Sequence, residues 1–262
     1  MALLGLGSWR TARADEALEA AIAGPQRTPA FAERDVWRHP YETLGFFGIR
    51  PAMAVAEINP GGGGWYTEIL APYLRDRGLL ILAGDAAGSG SEYQRRSAER
   101  LTRKLAASPA TYDRVRVTVF DPPNRIRIAA AGTVDMALSL RNVHNWAAEG
   151  DDVVGAAFSG VYACLKPGGV FGVVDHRLPA SRVQDAKAAS GYLHTGYVVR
   201  LAERAGFALA AASEINANPK DGADHPGGVW ALPPTYANKD RDRARYAAIG
   251  ESDRMTLKFL KR

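Results

Sequence analysis

A short apolar strand that breaks into Pro60 and four successive glycines, then resumes in helix-forming residues, limits this chain to few folds. The stretch reads Val55-Ala-Glu-Ile-Asn-Pro-Gly-Gly-Gly-Gly-Trp-Tyr-Thr-Glu-Ile-Leu70. Strand, glycine turn and helix in that order predict the first unit of an open α/β sheet. Glycine has no Cβ, so a ligand can approach the backbone of such a turn.

Two common ligands of such a turn are argued against by its spacing. A dinucleotide loop wants Gly-x-Gly-x-x-Gly or Ala, whose last small residue lets helix and strand pack closely. Counting from Gly61 puts Tyr66 in that position, and counting from Gly62 puts Thr67 there. Both are too large, which argues against a nicotinamide oxidoreductase. A phosphate loop of the Walker type needs Gly-Lys-Ser/Thr, and none follows. What remains is an acidic strand end, Glu57, shortly before the glycine cluster.

On these residues the chain resembles the class I S-adenosylmethionine-dependent methyltransferases, whose first motif reads acidic-x-Gly-x-Gly-x-Gly. Glu57, Gly61 and Gly63 match it, and Asn59 stands where the first glycine would be. Asparagine tolerates left-handed backbone better than most residues, so the turn can survive. The run from Pro60 to Leu74 is similar, more narrowly, to a family of predicted bacterial methyltransferases of unknown substrate. The resemblance implies a Rossmann-like sheet of seven strands with the last antiparallel. It also implies S-adenosyl-L-methionine as cofactor, held by Glu57, Asn59, Gly61, Gly63 and Thr67 at the first turn.

The remaining landmarks extend this reading over about 55–260. Leu79 to Asp85 is a second buried strand ending in a carboxylate, where an α/β fold places the acid that binds ribose hydroxyls. Tyr112 to Phe120 alternates as a third strand ending at Asp121, which by resemblance contacts the adenine amino group. Val134 to Leu140 is the fourth, running into Arg141-Asn-Val-His-Asn-Trp146. By position this segment resembles the one beside the methyl-donor sulfur. Arg141 and Asn142 are cofactor candidates there, and Trp146 is a substrate contact. Leu165-Lys-Pro-Gly-Gly169 predicts a tight turn into a fifth strand, Val170 to Val174, and Asp175-His176 emerge beside His144. His144, His176 and Asn142 are the catalytic candidates, with one imidazole as general base for a hydroxyl or thiol acceptor. Tyr192 and His194 are lid candidates over the substrate. His144, Asp175, His176 and His194 are of metal-ligand type, but no pair has metal-site spacing, and no metal is expected.

Phe207 to Ile215 predicts strand six and Ser252 to Leu260 strand seven. The 216–250 segment between them, rich in Pro, Gly and charge, predicts a lid or arm, with Trp230 docking. Asp15–Ala23, Ala30–Arg38 and Tyr41–Phe47 predict an N-terminal helical cap over 1–50, set on a transferase domain over 51–262. The aromatics of the cap either pack the helices onto the sheet or cover the substrate. Composition fits one α/β domain: 262 residues, 47% hydrophobic, 23% charged. Lys and Arg give a net charge of +5 but are scattered among Asp and Glu, so no nucleic-acid partner is expected. No apolar run is long enough to span a membrane. The single cysteine, Cys164, excludes an internal disulfide.

The expected activity is methyl transfer to a small molecule in the cytoplasm, where the methyl donor is made, with a homodimer as the candidate assembly. Ala2–Leu6 and Ala12-Arg-Ala14 leave a second reading open, a truncated export signal and a periplasmic site. With it goes a non-catalytic ligand-binding protein on the same scaffold.

Overall fold

The computed structural model describes residues 15–262, so the candidate export signal lies outside the described residues. Four short helices come first: α1 (Glu16–Ala23), α2 (Pro29–Ala32), α3 (Asp35–Arg38) and α4 (Pro40–Phe47). There follow β1 (Ala54–Ile58), α5 (Thr67–Leu74), β2 (Leu79–Gly84), α6 (Glu92–Ala107), α7 (Pro109–Tyr112) and β3 (Arg116–Val119). The second half comprises β4 (Val134–Leu140), α8 (Val143–Glu149), α9 (Asp151–Cys164), β5 (Leu165–His176), α10 (Thr195–Arg204) and β6 (Phe207–Ser213). A 3₁₀ turn (Gly228–Ala231), α11 (Arg243–Ile249) and β7 (Arg254–Lys261) complete it.

The seven strands lie in the order β3-β2-β1-β4-β5-β7-β6, with β7 antiparallel to both neighbours, as expected from the sequence. Strands covered on both faces read as near-continuous apolar runs, as β2 and β4 do here. Alternate side chains feed two cores. Val55, Met136 and Leu138 join α1, α4 and α5 on one face. Ala56, Ile58 and Ala137 join α8, α9 and α10 on the other. Asp15 caps α1 by accepting from the Leu18 N–H at 3.1 Å.

Several boundaries differ from expectation. The expected helix Ala30–Arg38 is two single turns of helix, with Glu33 and Arg34 in a turn between them where the Arg34 N–H bonds to the Phe31 carbonyl three residues back. Tyr112 belongs to a helical turn opened by Pro109, not to β3, which is correspondingly shorter. The Arg141–Trp146 segment supplies the start of a helix, α8. The pairing of β5 begins at Leu165, with a register shift against β4, so the Lys-Pro-Gly-Gly turn is part of the strand.

The 216–250 segment is ordered by long-range hydrogen bonds. Asn216 Nδ2 donates to Thr43 Oγ1 and Thr256 Oγ1 at 3.0 and 2.9 Å. Asn218 Nδ2 donates to the Ile249 and Glu251 carbonyls. Asp221 accepts from the Tyr192 hydroxyl and the Asp253 N–H. In the cap, Phe47 is fully buried and meets β5 at Gly172, where an added Cβ would lie 2.9 Å from its ring. That aromatic packs helix onto sheet.

Candidate active site

The carboxyl ends of β1 to β5 meet along one edge of the sheet, where α/β folds bind ligands. Because β7 runs the other way, its first residue, Arg254, pairs with His176, the last of β5. The edge thus divides into a strip over β1–β3 and a strip over β4, β5 and β7.

Over β1–β3 the turn opens at Asn59 (φ 44°) and Gly61 (φ 68°), both left-handed. Asn59 Nδ2 donates to Asp85 Oδ1 at 3.3 Å, while Asn59 Oδ1 is buried without a hydrogen-bond partner among the described residues. A buried acceptor left unmet costs about 1–3 kcal/mol, and a ligand N–H or O–H would meet it. A Cβ at Gly61 would touch nothing within 4 Å, so the turn is open there. Burial raises the Asp85 carboxyl, against hydrogen bonds with Ser97 and Asn59, and Asp121 is close enough to add to the rise. The two strand-end acids therefore share one region. Asp121 is held in a tight turn by reciprocal backbone bonds with Arg125, both 2.8 Å.

Not every glycine faces a ligand. A Cβ at Gly62 would lie 2.6 Å from Arg100 Nε, and one at Gly63 would lie 2.7 Å from Phe31 Cζ. At Gly62 and Gly63 the small residue lets α6 and the N-terminal segment pack onto the turn. Glu57 and Thr67 lie beneath it, both buried, with Thr67 Oγ1 donating to Glu57 Oε2 at 2.6 Å.

Burial pushes the Glu57 carboxyl up to about 7, against the Thr67 hydrogen bond. Its folded value lies above its unfolded value of 4.5, so its contribution to stability is complete in acid and is lost as pH rises through about 7. Glu57→Gln keeps the acceptor without the charge. Relative to the parent, it is expected to be near neutral at pH 5 and stabilising by up to about 3 kcal/mol at pH 8.5. Urea unfolding at the two pH values checks this, and equal stabilities at pH 8.5 would refute it.

Over β4, β5 and β7 the polar groups are denser. Arg141 leaves β4 in a left-handed conformation (φ 67°), its N–H donating to the Val174 carbonyl at 2.7 Å. Asn142 Nδ2 donates to the Ile58 carbonyl at 2.8 Å and ties the end of β4 to the end of β1. Asp175, fully buried, is the hub. Its Oδ2 accepts from the Val143 N–H at 2.7 Å, and its Oδ1 from the His176 N–H at 2.8 Å. Oδ1 also lies 2.7 Å from His144 Nδ1. A carboxylate at Nδ1 selects the tautomer whose Nε2 is a free acceptor, and His144 Nε2 has no partner among the described residues.

The His176 ring centroid stands 4.9 Å from that of His144, and its Nδ1 lies 2.5 Å from Ser252 Oγ. Burial, then His144 and the arginines 141, 254 and 38, hold the His176 imidazole well below its usual value, so it is neutral at neutral pH. Tyr192 stacks edge-on to His176 at 6.1 Å, and Trp230 to His144 at 6.2 Å. The long 216–250 segment thus reaches the site through Trp230.

Two of the sequence candidates lie elsewhere. Trp146 packs edge-on against Phe120 and Phe158, so its ring serves the core. His194 Nε2 faces the Arg182 carbonyl at 2.9 Å, in a surface cleft with Arg177, Pro179 and Thr195. His144, Asp175 and His176 present ligand-type atoms within 4.8 Å of one another, which sequence spacing conceals because His144 comes from α8 and the other two from the end of β5. Their donor set is largely committed, however: both Nδ1 atoms and both Asp175 oxygens already have hydrogen-bond partners.

Sequence reasoning missed Arg38, Glu251 and Arg254, which join this strip from both ends of the chain. The usable signal was Glu251-Ser-Asp-Arg254, a polar run just before the final strand. An antiparallel strand begins at the edge where its parallel neighbours end, so such a run lands in the site.

No protein-family model matches the sequence, and neither does any curated protein. Solved structures do match. A SAM-dependent methyltransferase from Aquifex aeolicus aligns with TM-score 0.56 and 12% identity, over 89% of this chain and 93% of that one. A geranyl diphosphate C-methyltransferase from Streptomyces coelicolor aligns with TM-score 0.54 and 13% identity, over 93% and 88%. A [4+2]-cyclase, SpnF, aligns with TM-score 0.57 and 15% identity, over 93% and 91%. Strand order, the antiparallel β7 and these alignments agree: the chain has the Rossmann-like fold of the class I S-adenosylmethionine-dependent methyltransferases.

Proposed function

We propose that the protein is an S-adenosylmethionine-dependent methyltransferase acting on a small molecule. One observation carries this reading. An open left-handed turn with an unmet acceptor, Asn59 Oδ1, lies beside the Asp85–Asp121 pair, and on the same sheet edge His144 is oriented by Asp175. The first set fits the nucleoside and amino-acid ends of the cofactor. Asp85 would accept from its ribose hydroxyls, Asp121 from its adenine amino group, and Asn59 with Gly61 would face its amino-acid half. Glu57 and Thr67 brace the turn from below, and Asn142 fixes the adjoining strand end.

When bound, the cofactor supplies an electrophilic methyl group on a positive sulfur. The protein's tasks are to align the acceptor and to exclude water. His144 Nε2 is the free base that takes a proton from a hydroxyl or thiol acceptor. Tyr192 and Trp230 roof the strip over His144 and His176, which favours a small acceptor over an extended polymer. Among the described residues no helix is long and apolar enough to cross a membrane. The cytoplasm is the proposed location, since the donor is made there.

The [4+2]-cyclase on the same fold shows why cofactor binding and methyl transfer need separate tests. Calorimetric titration with S-adenosylhomocysteine is expected to show one site. Asp85→Ala is expected to weaken it about tenfold or more, since a charge-assisted bond to the ribose is lost. Equal affinity in the variant would remove Asp85 from the site. A metabolite screen with labelled donor then tests transfer.

A further inference from the structure

The strip over β4, β5 and β7 carries more positive charge, in Arg34, Arg38, Arg141 and Arg254, than its two buried carboxylates, Glu251 and Asp175, can balance. Glu251 accepts from Arg34 Nε at 2.6 Å, Arg38 Nε at 3.1 Å and Arg254 Nη1 at 3.1 Å. Arg141 adds a fourth guanidinium within electrostatic reach of Glu251, Arg38 and His176. Buried arginines are ordinarily paired and fully hydrogen-bonded, because an unmet charged donor in the interior is costly. Here the Arg38 side chain is only 2% exposed, yet its Nη2 has no hydrogen-bond partner among the described residues. Arg34 Nη2 and Arg254 Nε are buried and unpartnered as well. The side chain of Arg141 makes no hydrogen bond or ion pair among the described residues, although its backbone holds a left-handed conformation that costs about 1–2 kcal/mol.

We infer that these guanidinium groups, Arg38, Arg254 and Arg141 foremost, form a binding site for an oxyanion beside His144 and His176, and that the methyl acceptor carries a carboxylate or phosphate that seats there. The second half of this inference rests on the transferase reading; the anion site itself does not. Geometry sets the group next to the reacting base. Arg254 pairs in register with His176, whose ring stands 4.9 Å from that of His144. The Tyr66 hydroxyl, buried at the foot of the glycine turn, donates to the Arg38 carbonyl at 3.5 Å and lies within electrostatic reach of Arg38, Arg254 and Arg141. A planar guanidinium with free N–H groups matches a carboxylate or phosphate better than any neutral ligand. The same surplus of positive charge works against a cation on the His144–Asp175–His176 group.

The cofactor has a carboxylate of its own, so the experiment must separate two sources of the same chemistry. The full chain is titrated with S-adenosylhomocysteine and with methylthioadenosine, which lacks the amino-acid half. The chain saturated with S-adenosylhomocysteine is then titrated with benzoate, inorganic phosphate and the neutral isostere benzamide in low-salt buffer. Arg141→Gln, at a half-buried position outside the Glu251 ion pairs, is compared throughout. At least one anion is expected to bind ten times more tightly than benzamide. With Arg141 assigned here to the acceptor, and not to the cofactor as its place in the sequence implies, Arg141→Gln is expected to weaken that anion tenfold or more and to shift S-adenosylhomocysteine by less than about threefold. Anions no tighter than benzamide, or unaffected by Arg141→Gln, would overturn the inference. So would a variant that loses S-adenosylhomocysteine but keeps methylthioadenosine, because the arginines would then hold the cofactor's carboxylate. If S-adenosylhomocysteine fails to bind while the anion still binds through Arg141, the anion site stands and the transferase reading falls.

Discussion

Glu251→Ala is expected to destabilise the protein by about 3–5 kcal/mol at pH 7, because it leaves buried arginines facing one another without their counter-charge. Glu251 is 4% exposed, Arg38 1% and Arg254 3%, so water cannot take over its role. Burial alone would raise the Glu251 carboxyl, but Arg38, Arg254, Arg34 and Arg141 together outweigh it and hold the value down to about 2. The folded value lies below the unfolded 4.5, so the stability it contributes is complete above about 4.5 and is lost as pH falls toward 2. In urea unfolding, the gap between parent and Glu251→Ala should therefore be constant from neutral pH down to about 5 and close below that. Lys166–Asp135 provides the contrast. That lysine is 46% exposed, and breaking the pair is expected to cost less than about 1 kcal/mol. A Glu251→Ala loss as small as this would mean that the arginines do not depend on Glu251 for their charge balance.

The cluster around Glu251 also marks where sequence reasoning stops. Buried parallel strands announce themselves as apolar runs, and their carboxyl ends fall at the acids and amides that follow. Asp85, Asp121, Asn142, His144 and His176 fall on one edge by those rules together with the family resemblance, and β1, β2 and β4 with them. The pairing of Asp175 with His144 needed the sheet, since it joins the end of β5 to the start of α8. Arg38 and Glu251 come from opposite ends of the chain, and no local periodicity couples them. The helix α11 is flanked by Asp242 and Gly250, but Asp242 makes no side-chain capping bond, and the segment's order comes from Asn216, Asn218 and Asp221 bonding across the fold. Gly62 and Gly63 show the converse error. Four glycines in a row suggested one purpose, a close-approaching ligand, whereas two of them make room for Arg100 and Phe31. Trp146 was tied to substrate by its neighbours in sequence, but α8 turns it into the core.

His144→Ala is expected to lower turnover by about 10²–10⁴ while leaving S-adenosylhomocysteine affinity within about twofold. The separation follows from geometry. The proposed cofactor contacts lie over β1–β3, whereas His144 stands at the start of α8 with Nδ1 committed to Asp175 and Nε2 free. Asp175→Asn should cost almost as much, because the amide can turn its NH₂ toward Nδ1 and favour the wrong tautomer, with Nε2 protonated and unable to accept. His176 offers no substitute base of equal strength: its imidazole is held well below the usual value by burial and by the arginines. The measurement is single-turnover transfer from labelled donor to whichever acceptor the screen returns, so that product release does not mask the chemical step. A loss below tenfold in both variants would mean that the acceptor arrives already nucleophilic and that the pair serves only to position it. The acceptor would then need the arginine surplus more than the imidazole, and Arg141→Gln would become the more damaging change.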